Sequence, residues 1–439
     1  MARYGYFWGC YLPSRMPHLE KAMRAAFAAL GIAAQDLEGL SCCPEKSMIK
    51  NADHDTWLTM AARNLAIAED AGVAIVTPCT GCYGTLKGAN HALAAHPDAL
   101  AMVNARLARV GRSYQGRVPV KHVLEVLWDD FGAQTLRQRV TRPLTGLRVA
   151  VHNGCHLVRP STELAFDDPF APRKFDTLVE ALGATSVTYT TKSLCCGGLL
   201  ARADDQSQAE HMCRMKLSEL AKLGVDCLTT TCPSCTMQYE YQQANLARGG
   251  EVYDVPVLSY LELLGLALGL APEELGIAAH RVSTDRFFAR WTALRAAQET
   301  LAPHFDLQGL AGCAACNGCR NDCPVNLGDP TWVPNAIIRR LAAGDLDGVI
   351  ADRSAWKCHE CYTCSDRCCQ SYSMLEIFRT VKHLAVARGA VPGGVADGIA
   401  AVTGTGAMIA TSEAARKRLK LPAVPKSGAD EVAALLGER

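Results

Sequence analysis

Two pairs of adjacent cysteines, Cys42-Cys43 in GLSCCPEKS and Cys195-Cys196 in KSLCCGGLLA, raise the question of what chemistry needs neighbouring thiols. Neighbouring Cα atoms do not hold sulfurs at bridging geometry, so a disulfide within the pair is a poor answer. Each pair sits in a larger pattern. Cys10 is followed by 31 residues, Cys42-Cys43, 35 residues and Cys79-x-x-Cys82. Cys155 is followed by 39 residues, Cys195-Cys196, 35 residues and Cys232-x-x-Cys235. Five cysteines recur in one order, which marks an internal duplication and two equivalent sites. Four thiolates already close a structural zinc or hold a cubane iron–sulfur cluster. A fifth fits a less symmetric cluster in which one thiolate bridges two metals. Consecutive sulfurs can then bind neighbouring irons where one iron could not use both.

A different spacing appears near the carboxyl terminus. CAACNGCRNDCP (313 to 324) and CHECYTCSDRCC (358 to 369) both read C-x2-C-x2-C-x3-C, the run of bacterial ferredoxins. In that arrangement the fourth cysteine of each run ligates the other run's cluster. One cubane is therefore expected on Cys313, Cys316, Cys319 and Cys368, and the other on Cys358, Cys361, Cys364 and Cys323. Cys369 stands where proline usually follows and is left over from both sets. Trp356, just before the second run, is expected to shield a cubane from water.

These residues need a scaffold, and the chain supplies an alternating one. Short apolar runs end just before the cysteines: ARYGYFWG, AIVTP, RVAVHNG, SVTYTTKS and DCLTTT read as strands. Residues 16–30, 56–71, 204–223 and 235–247 are amphipathic and read as helices. Strand–helix alternation gives α/β layers with the cysteines at the carboxyl ends of strands, the edge where open α/β sheets hold ligands. The C-x-x-C pairs open helices, where free N–H groups and the dipole favour thiolate. Gly197 and Gly198 let the backbone turn tightly beside a bulky inorganic ligand. The expected division is 1–145 for the first repeat, 146–285 for the second, 286–390 for the ferredoxin region and 391–439 for a loosely held extension. Residues 271–311 contain the junction, with Pro272 and Pro303 as breakers, and 333–351 look helical.

The bulk numbers narrow the setting. The chain has 439 residues, 49% of them hydrophobic and 20% charged, enough for two or three cored domains. With 45 basic and 44 acidic residues, no attraction to nucleic acid or anionic membrane is expected. VPVLSYLELLGLALGL, residues 255–270, contains Glu262 and is too short for a membrane span; it reads as a buried helix. MARYGYFWGC does not read as a signal peptide. Twenty-one clustered cysteines in a chain of this size point to metal ligands in a reducing compartment, so a cytoplasmic protein is expected. CCGGLLA lacks the G-x-G-x-x-G pattern, so no flavin or NAD site is expected.

The twin five-cysteine motif resembles the signature of the B-type subunit of heterodisulfide reductase. The likeness extends through VAVHNGCHLVRPS, FDTLVEALGA and VPVLSYLELLGLALGLAPEELG, over roughly residues 1–285. WKCHECYTCSDRC resembles the C-type subunit of the same enzyme, so the chain reads as a B-like part fused to a C-like part. The resemblance implies two pseudo-symmetric Rossmann-like cysteine-rich (CCG) repeats and an α-helical ferredoxin-like domain. It further implies two non-cubane [4Fe-4S] clusters on the ten motif cysteines besides the two cubanes, although relatives with a degenerate motif hold zinc there. The implied activity is homolytic cleavage of the coenzyme M–coenzyme B heterodisulfide. Also implied are a flavoprotein partner like the A-type subunit, further electron-input partners, and a flavin-based bifurcating complex.

The duplication itself suggests why this architecture suits the reaction. Cubanes pass single electrons, a disulfide needs two, and a half-reduced disulfide with no partner to hold it releases a thiyl radical. Two equivalent sites facing one cavity would each capture one sulfur of the small-molecule or carrier-bound substrate. His156 is a candidate proton donor to a departing thiolate, with orientation of its own loop as the plainer role. Lys192, Arg159, Arg202 and Lys46 lie near cysteines and are candidates to grip an anionic tail, each more simply a solvated surface group. Cys213 and Cys227 read as small buried hydrophobes. The competing readings are a non-catalytic relay within an aromatic-ring-reducing or hydrogenase-linked complex, and a component linked to a quinone or a 2-hydroxyacid.

Overall fold

The computed structural model describes residues 4–45, 47–316, 318–369, 372–424 and 427–436. The chain forms two compact units, 1–294 and 295–439. The first contains two four-stranded parallel sheets. Strands β1 (Tyr4–Tyr6), β2 (Ala34–Asp36), β3 (Ala74–Thr77) and β4 (Val120–His122) lie in the order β2-β1-β3-β4, with Tyr4 opposite both Ala34 and Ala74. Strands β5 (Arg148–Val151), β6 (Thr185–Val187), β7 (Cys227–Thr230) and β8 (Val257–Ser259) repeat it as β6-β5-β7-β8, with Val149 opposite Cys227. In both sheets the chain reverses direction of travel between the first strand and the third. Crevices at such switch points lie beyond the carboxyl ends of the strands, and Cys10, Cys79, Cys155 and Cys232 follow those ends.

Connecting helices fall close to where the apolar spacing put them. Pro17–Leu30 begins with proline in its first turn and stops at Gly31, which takes the left-handed conformation at φ +72°. It buries Leu19, Ala22, Met23, Ala26, Phe27 and Leu30, one stripe at three- and four-residue steps. Gln206–Leu223 is capped by Asp205, whose carboxylate accepts from the Gln208 N–H, and ends at Gly224.

Three expectations change. Residues 255–270 are not one helix: β8 comes first, and the Tyr260–Ala267 helix starts only after Ser259. The Ser259 hydroxyl accepts from the Leu261 N–H while the Glu262 carboxylate accepts from the Ser259 N–H, so a capping box fixes the switch of conformation. The strand expected through SVTYTTKS stops at Val187, because Glu219 draws the Thr190 and Thr191 N–H groups into a short 3-10 turn. Finally, 333–351 is two helices, Pro334–Ala342 and Leu346–Ala351. Gly344 separates them at φ +92°, where a Cβ would stand 2.1 Å from Ala297 Cβ.

The second unit is helical, its core built from Leu301, Phe305, Trp332, Ile338, Leu341 and Phe378 among others. Beyond Ala387 the helices Gly393–Thr405 and Glu413–Arg418 bury none of their described side chains. Among the described residues no helix is long and apolar enough to cross a membrane.

Candidate metal centres

The ten motif cysteines converge as a string of interacting thiols. Cys10 interacts with Cys42, Cys42 with Cys43, Cys43 with Cys82, and Cys82 with Cys79. The second repeat follows the same order: Cys155, Cys195, Cys196, Cys235, Cys232. The two strings meet, because the Cys79 thiol interacts with that of Cys232.

The local fold produces this convergence twice. Cys79 and Cys232 are extended residues capping the Thr80–Ala95 and Pro233–Arg248 helices, which places each second cysteine of the C-x-x-C pair on the first turn. Gly9 and Gly154 precede Cys10 and Cys155 at φ +68° and +72°. A Cβ on Gly9 would stand 2.7 Å from Cys82 Sγ, so only glycine lets that turn close over the nest. A Cβ on Gly154 would meet Thr80 Oγ1 at 3.1 Å, and the Thr80 hydroxyl hydrogen-bonds Cys232. The repeats are thus interleaved: Thr80–Ala95 packs on Cys155–Val158, and Tyr11–Arg15 packs on Pro233–Arg248.

Inside the nests the thiols perturb one another in opposite directions. Cys43 is pulled down to about 5 by the thiols of Cys42 and Cys82, and Cys195 to about 2 by those of Cys155 and Cys196. Cys232 falls well below the usual thiol range beside Cys235 and Cys79. Their neighbours move the other way. Cys10 is raised beside Cys42, Cys155 beside Cys195, and Cys79 beside Cys232. Bound metal inverts this pattern, since a coordinated thiol is deprotonated outright. Orphaned polar atoms flank the second nest as well: His152 Nε2, Asn153 Nδ2 and Thr231 Oγ1 are buried without a partner.

A single tetrahedral metal at a Zn–S distance near 2.3 Å would need its four sulfurs within about 3.8 Å of one another. Among the described residues, the cysteine-bearing group that comes nearest to this is Cys196 and Cys235 with a ring nitrogen of His152, all within 4.8 Å. The other sulfurs join this group through successive pairwise contacts, more thiols than one tetrahedral metal uses.

Around the nests, Arg202 reaches across the repeats. Its guanidinium donates to Ser234 Oγ at 3.0 Å, lies 4.9 Å from the Tyr11 ring centroid, and exerts a lowering pull on Cys10. Lys192 is instead paired with Asp176, and Arg159 is half-buried before Pro160. Lys46 lies outside the described residues. His156 is half-buried in the turn after Cys155. Gly197 caps the short Gly198–Arg202 helix at φ +78°, and a Cβ on Gly198 would meet Cys196 Sγ at 3.5 Å. Cys213 donates to the Cys196 carbonyl at 3.2 Å, and Cys227 is fully buried in β7.

Sequence reasoning passed over Lys216, which is completely buried on the Gln206–Leu223 helix. It donates to the Lys192 carbonyl at 2.9 Å and faces His152 Nδ1 at 3.1 Å; burial pushes the lysine down to about 7 and the histidine to about 3. An isolated lysine in an amphipathic helix gives no sign that it points inward. The HNGC stretch did place His152 three residues before a cysteine.

In the second unit two cavities are lined by ferredoxin-run cysteines. One is lined by Cys319, Cys323, Cys358, Cys361 and Cys364. The other is lined by Cys313, Cys316, Cys319, Cys364, Cys368 and Cys369. Both cavities therefore mix cysteines of the two runs, and Cys319 and Cys364 line both. Cys369 Sγ lies 3.8 Å from Cys316 Sγ. Trp356 packs half-buried against the helical core.

Duplicated parallel sheets carrying facing cysteine nests, together with a ferredoxin-like helical unit, define an iron–sulfur electron-transfer protein. The cysteine-rich domain family CCG matches residues 4–87 and 149–240, and the 4Fe-4S dicluster domain family matches 312–373. The B-type subunit of the ferredoxin/F420H2-dependent CoB-CoM heterodisulfide reductase of Methanosarcina acetivorans is 41% identical over 292 residues, 66% of this chain and 97% of that protein. The 8-methylmenaquinol:fumarate reductase membrane anchor subunit of Wolinella succinogenes is 35% identical over 275 residues, 62% of this chain and 95% of its own length. The C2-type subunit of the H2/formate:CoB-CoM heterodisulfide,ferredoxin reductase of Methanococcus maripaludis is 32% identical over 84 residues, 19% of this chain and 45% of that protein. The chain belongs to the family of heterodisulfide reductase B-type subunits and carries a C-type 4Fe-4S region after that part of its sequence.

Proposed function

We propose that the chain passes electrons from two cubane [4Fe-4S] clusters in its carboxyl-terminal unit to two non-cubane [4Fe-4S] clusters in the facing nests, where a disulfide is reduced or formed. Cys313, Cys316, Cys319 and Cys368 would hold one cubane, and Cys323, Cys358, Cys361 and Cys364 the other. Cys10, Cys42, Cys43, Cys79 and Cys82 would hold one non-cubane cluster, and Cys155, Cys195, Cys196, Cys232 and Cys235 the second. The observation that carries the reading is the interaction of Cys79 with Cys232, which makes the two nests one continuous site. Iron–sulfur groups supply one-electron storage and soft iron with affinity for sulfur.

The chain's own residues supply the rest. Cys10 and Cys42 are exposed whereas Cys79, Cys82, Cys232 and Cys235 are buried, so the first nest opens outward and the junction excludes water. Arg202 stands between the repeats, where its fork can grip a carboxylate, sulfonate or phosphate tail. Thr80 holds the Cys232 sulfur in place. Reduction balances as R–S–S–R′ + 2 e⁻ + 2 H⁺ → R–SH + R′–SH. The 41% identical relative is named as a subunit of a ferredoxin/F420H2-dependent CoB-CoM heterodisulfide reductase, which supports this substrate class and work as one subunit of a complex. A flavoprotein partner like the A-type subunit, a bifurcating complex and a cytoplasmic setting complete the proposal.

Anaerobically purified full-length chain should carry about sixteen irons, four per cluster. On titration with a candidate heterodisulfide it should release two thiols per two electrons. Cys42→Ser and Cys195→Ser should each abolish that release while the cubane signals persist. Full release from both variants would end the reading, and zinc in either nest would reduce that half to scaffold.

A second reading follows from the relative named as a menaquinol:fumarate reductase component: the chain relays electrons to a partner's substrate. It requires that the unsubstituted chain carry electrons through while releasing no thiol from any disulfide.

A further inference from the structure

The two repeats match cysteine for cysteine, yet they differ beneath the sulfurs. His152 lies three residues before Cys155, and the residue three before Cys10 is Phe7; both are buried. Tyr239 lies four after Cys235, and the residue four after Cys82 is Leu86; both are fully buried. Lys216 has Arg63 at the matching place, half-buried on the first repeat's helix with its Nη1 enclosed and unpartnered, whereas Lys216 is completely buried against an imidazole. The duplication therefore kept the metal-binding thiols, while the imidazole of His152 and the phenol of Tyr239 under the second nest are replaced by apolar side chains at the matching positions of the first.

Burying a lysine costs several kcal/mol unless its charge is met. Among the described residues no carboxylate pairs with Lys216; its amine meets the Lys192 carbonyl and His152 Nδ1. Against burial, the nearby sulfurs of Cys196, Cys235 and Cys195 in the second nest favour its charged form. The histidine completes the arrangement. Lys216 has only hydrogens to offer, so Nδ1 accepts and the proton of a neutral imidazole sits on Nε2. That Nε2–H is buried without a protein partner, and a ring nitrogen of His152 lies within 4.8 Å of Cys196 and Cys235 Sγ. The imidazole therefore stands beside any group those two cysteines hold, with one N–H unmet by the protein.

We infer that Lys216 and His152 are positioning residues that hold the iron–sulfur group of the second nest at a higher reduction potential than that of the first. Positive charge and N–H donors at cluster sulfurs both stabilise the reduced, more negative state. The first electron delivered to the pair then settles beside Cys196 and Cys235, and the substrate sulfur at that end is reduced first. This rests on the proposed occupancy of the second nest by iron, and it concerns which nest fills first.

The test is potentiometric titration of the anaerobic full-length protein, followed by electron paramagnetic resonance. Signals are assigned to each nest by their loss in Cys42→Ser and Cys195→Ser. Lys216→Met and His152→Phe, the latter installing the first repeat's residue, should each shift the second nest's midpoint to more negative potential. The first nest and the ferredoxin clusters should not move. Lys216→Arg, which keeps the charge, should stay close to the parent. An unmoved second-nest midpoint at full iron content overturns the inference, as does equal loss of second-nest iron in Lys216→Met and Lys216→Arg, which would mark a structural role. A parent protein without iron in the second nest would instead sink the reading on which it rests.

Discussion

Single residues carry two consequences that can be measured without a substrate. Gly197 sits at φ +78°, and a Cβ there would stand 2.8 Å from Ala209 Cα, a backbone atom that cannot step aside. Gly197→Ala should cost about 2 kcal/mol or more in unfolding free energy, from the left-handed penalty together with the clash. Denaturant unfolding of the anaerobic protein checks this, and iron content should fall with it. His280 is the second case. Its ring is buried between Glu240, 2.7 Å from Nδ1, and Glu262, 3.0 Å from Nε2. Burial opposes its charge, but the two carboxylates win and raise it to about 10. A histidine raised above its unfolded value near 6.5 stabilises fully below that pH and loses the contribution as pH climbs through the folded value. The thermal midpoint should therefore decline between pH 7 and pH 10, measured by scanning calorimetry. His280→Gln should flatten that slope and lower stability by about 3 kcal/mol, the usual consequence of breaking a buried pair.

At the scale of elements, periodicity read the helices within a few residues, because a stripe of alanines and leucines such as that of Pro17–Leu30 has one packing solution. Where the reading failed, a side chain far along the chain or just ahead decided the outcome. Apolar content cannot separate a strand from a helix in VPVLSYLELLG; the capping box of Ser259 and Glu262 does so. Nothing in SVTYTTKS shows that Glu219 will take two of its N–H groups. Gly344 gave no warning either, since its need for a positive φ follows from the approach of Ala297. The crossed grouping of ferredoxin-run cysteines, proposed from their spacing, has its own test. Cys323→Ser and Cys368→Ser should each remove about four irons, and each should extinguish the cluster of the opposite run. Mössbauer spectra combined with Cys361→Ser and Cys316→Ser references would distinguish this from loss within the same run.

At the scale of the whole chain, duplication could be counted from the cysteines, and the family likeness followed from the same residues. What spacing could not supply was the meeting of Cys79 with Cys232, because it depends on Thr80–Ala95 and Cys155–Val158 packing across the repeats. Nor could it reveal Arg202 reaching Tyr11, nor the buried pairing of Lys216 with His152 under the second nest. Two thiols at the outer end of the first nest, Cys10 and Cys42, face solvent, while the inner four are enclosed. Air should accordingly corrode this molecule from one side. Dioxygen and peroxide would attack the outward rim before anything deeper, leaving a half-dismantled form whose inner half is still loaded, and repair would have to rebuild only that rim.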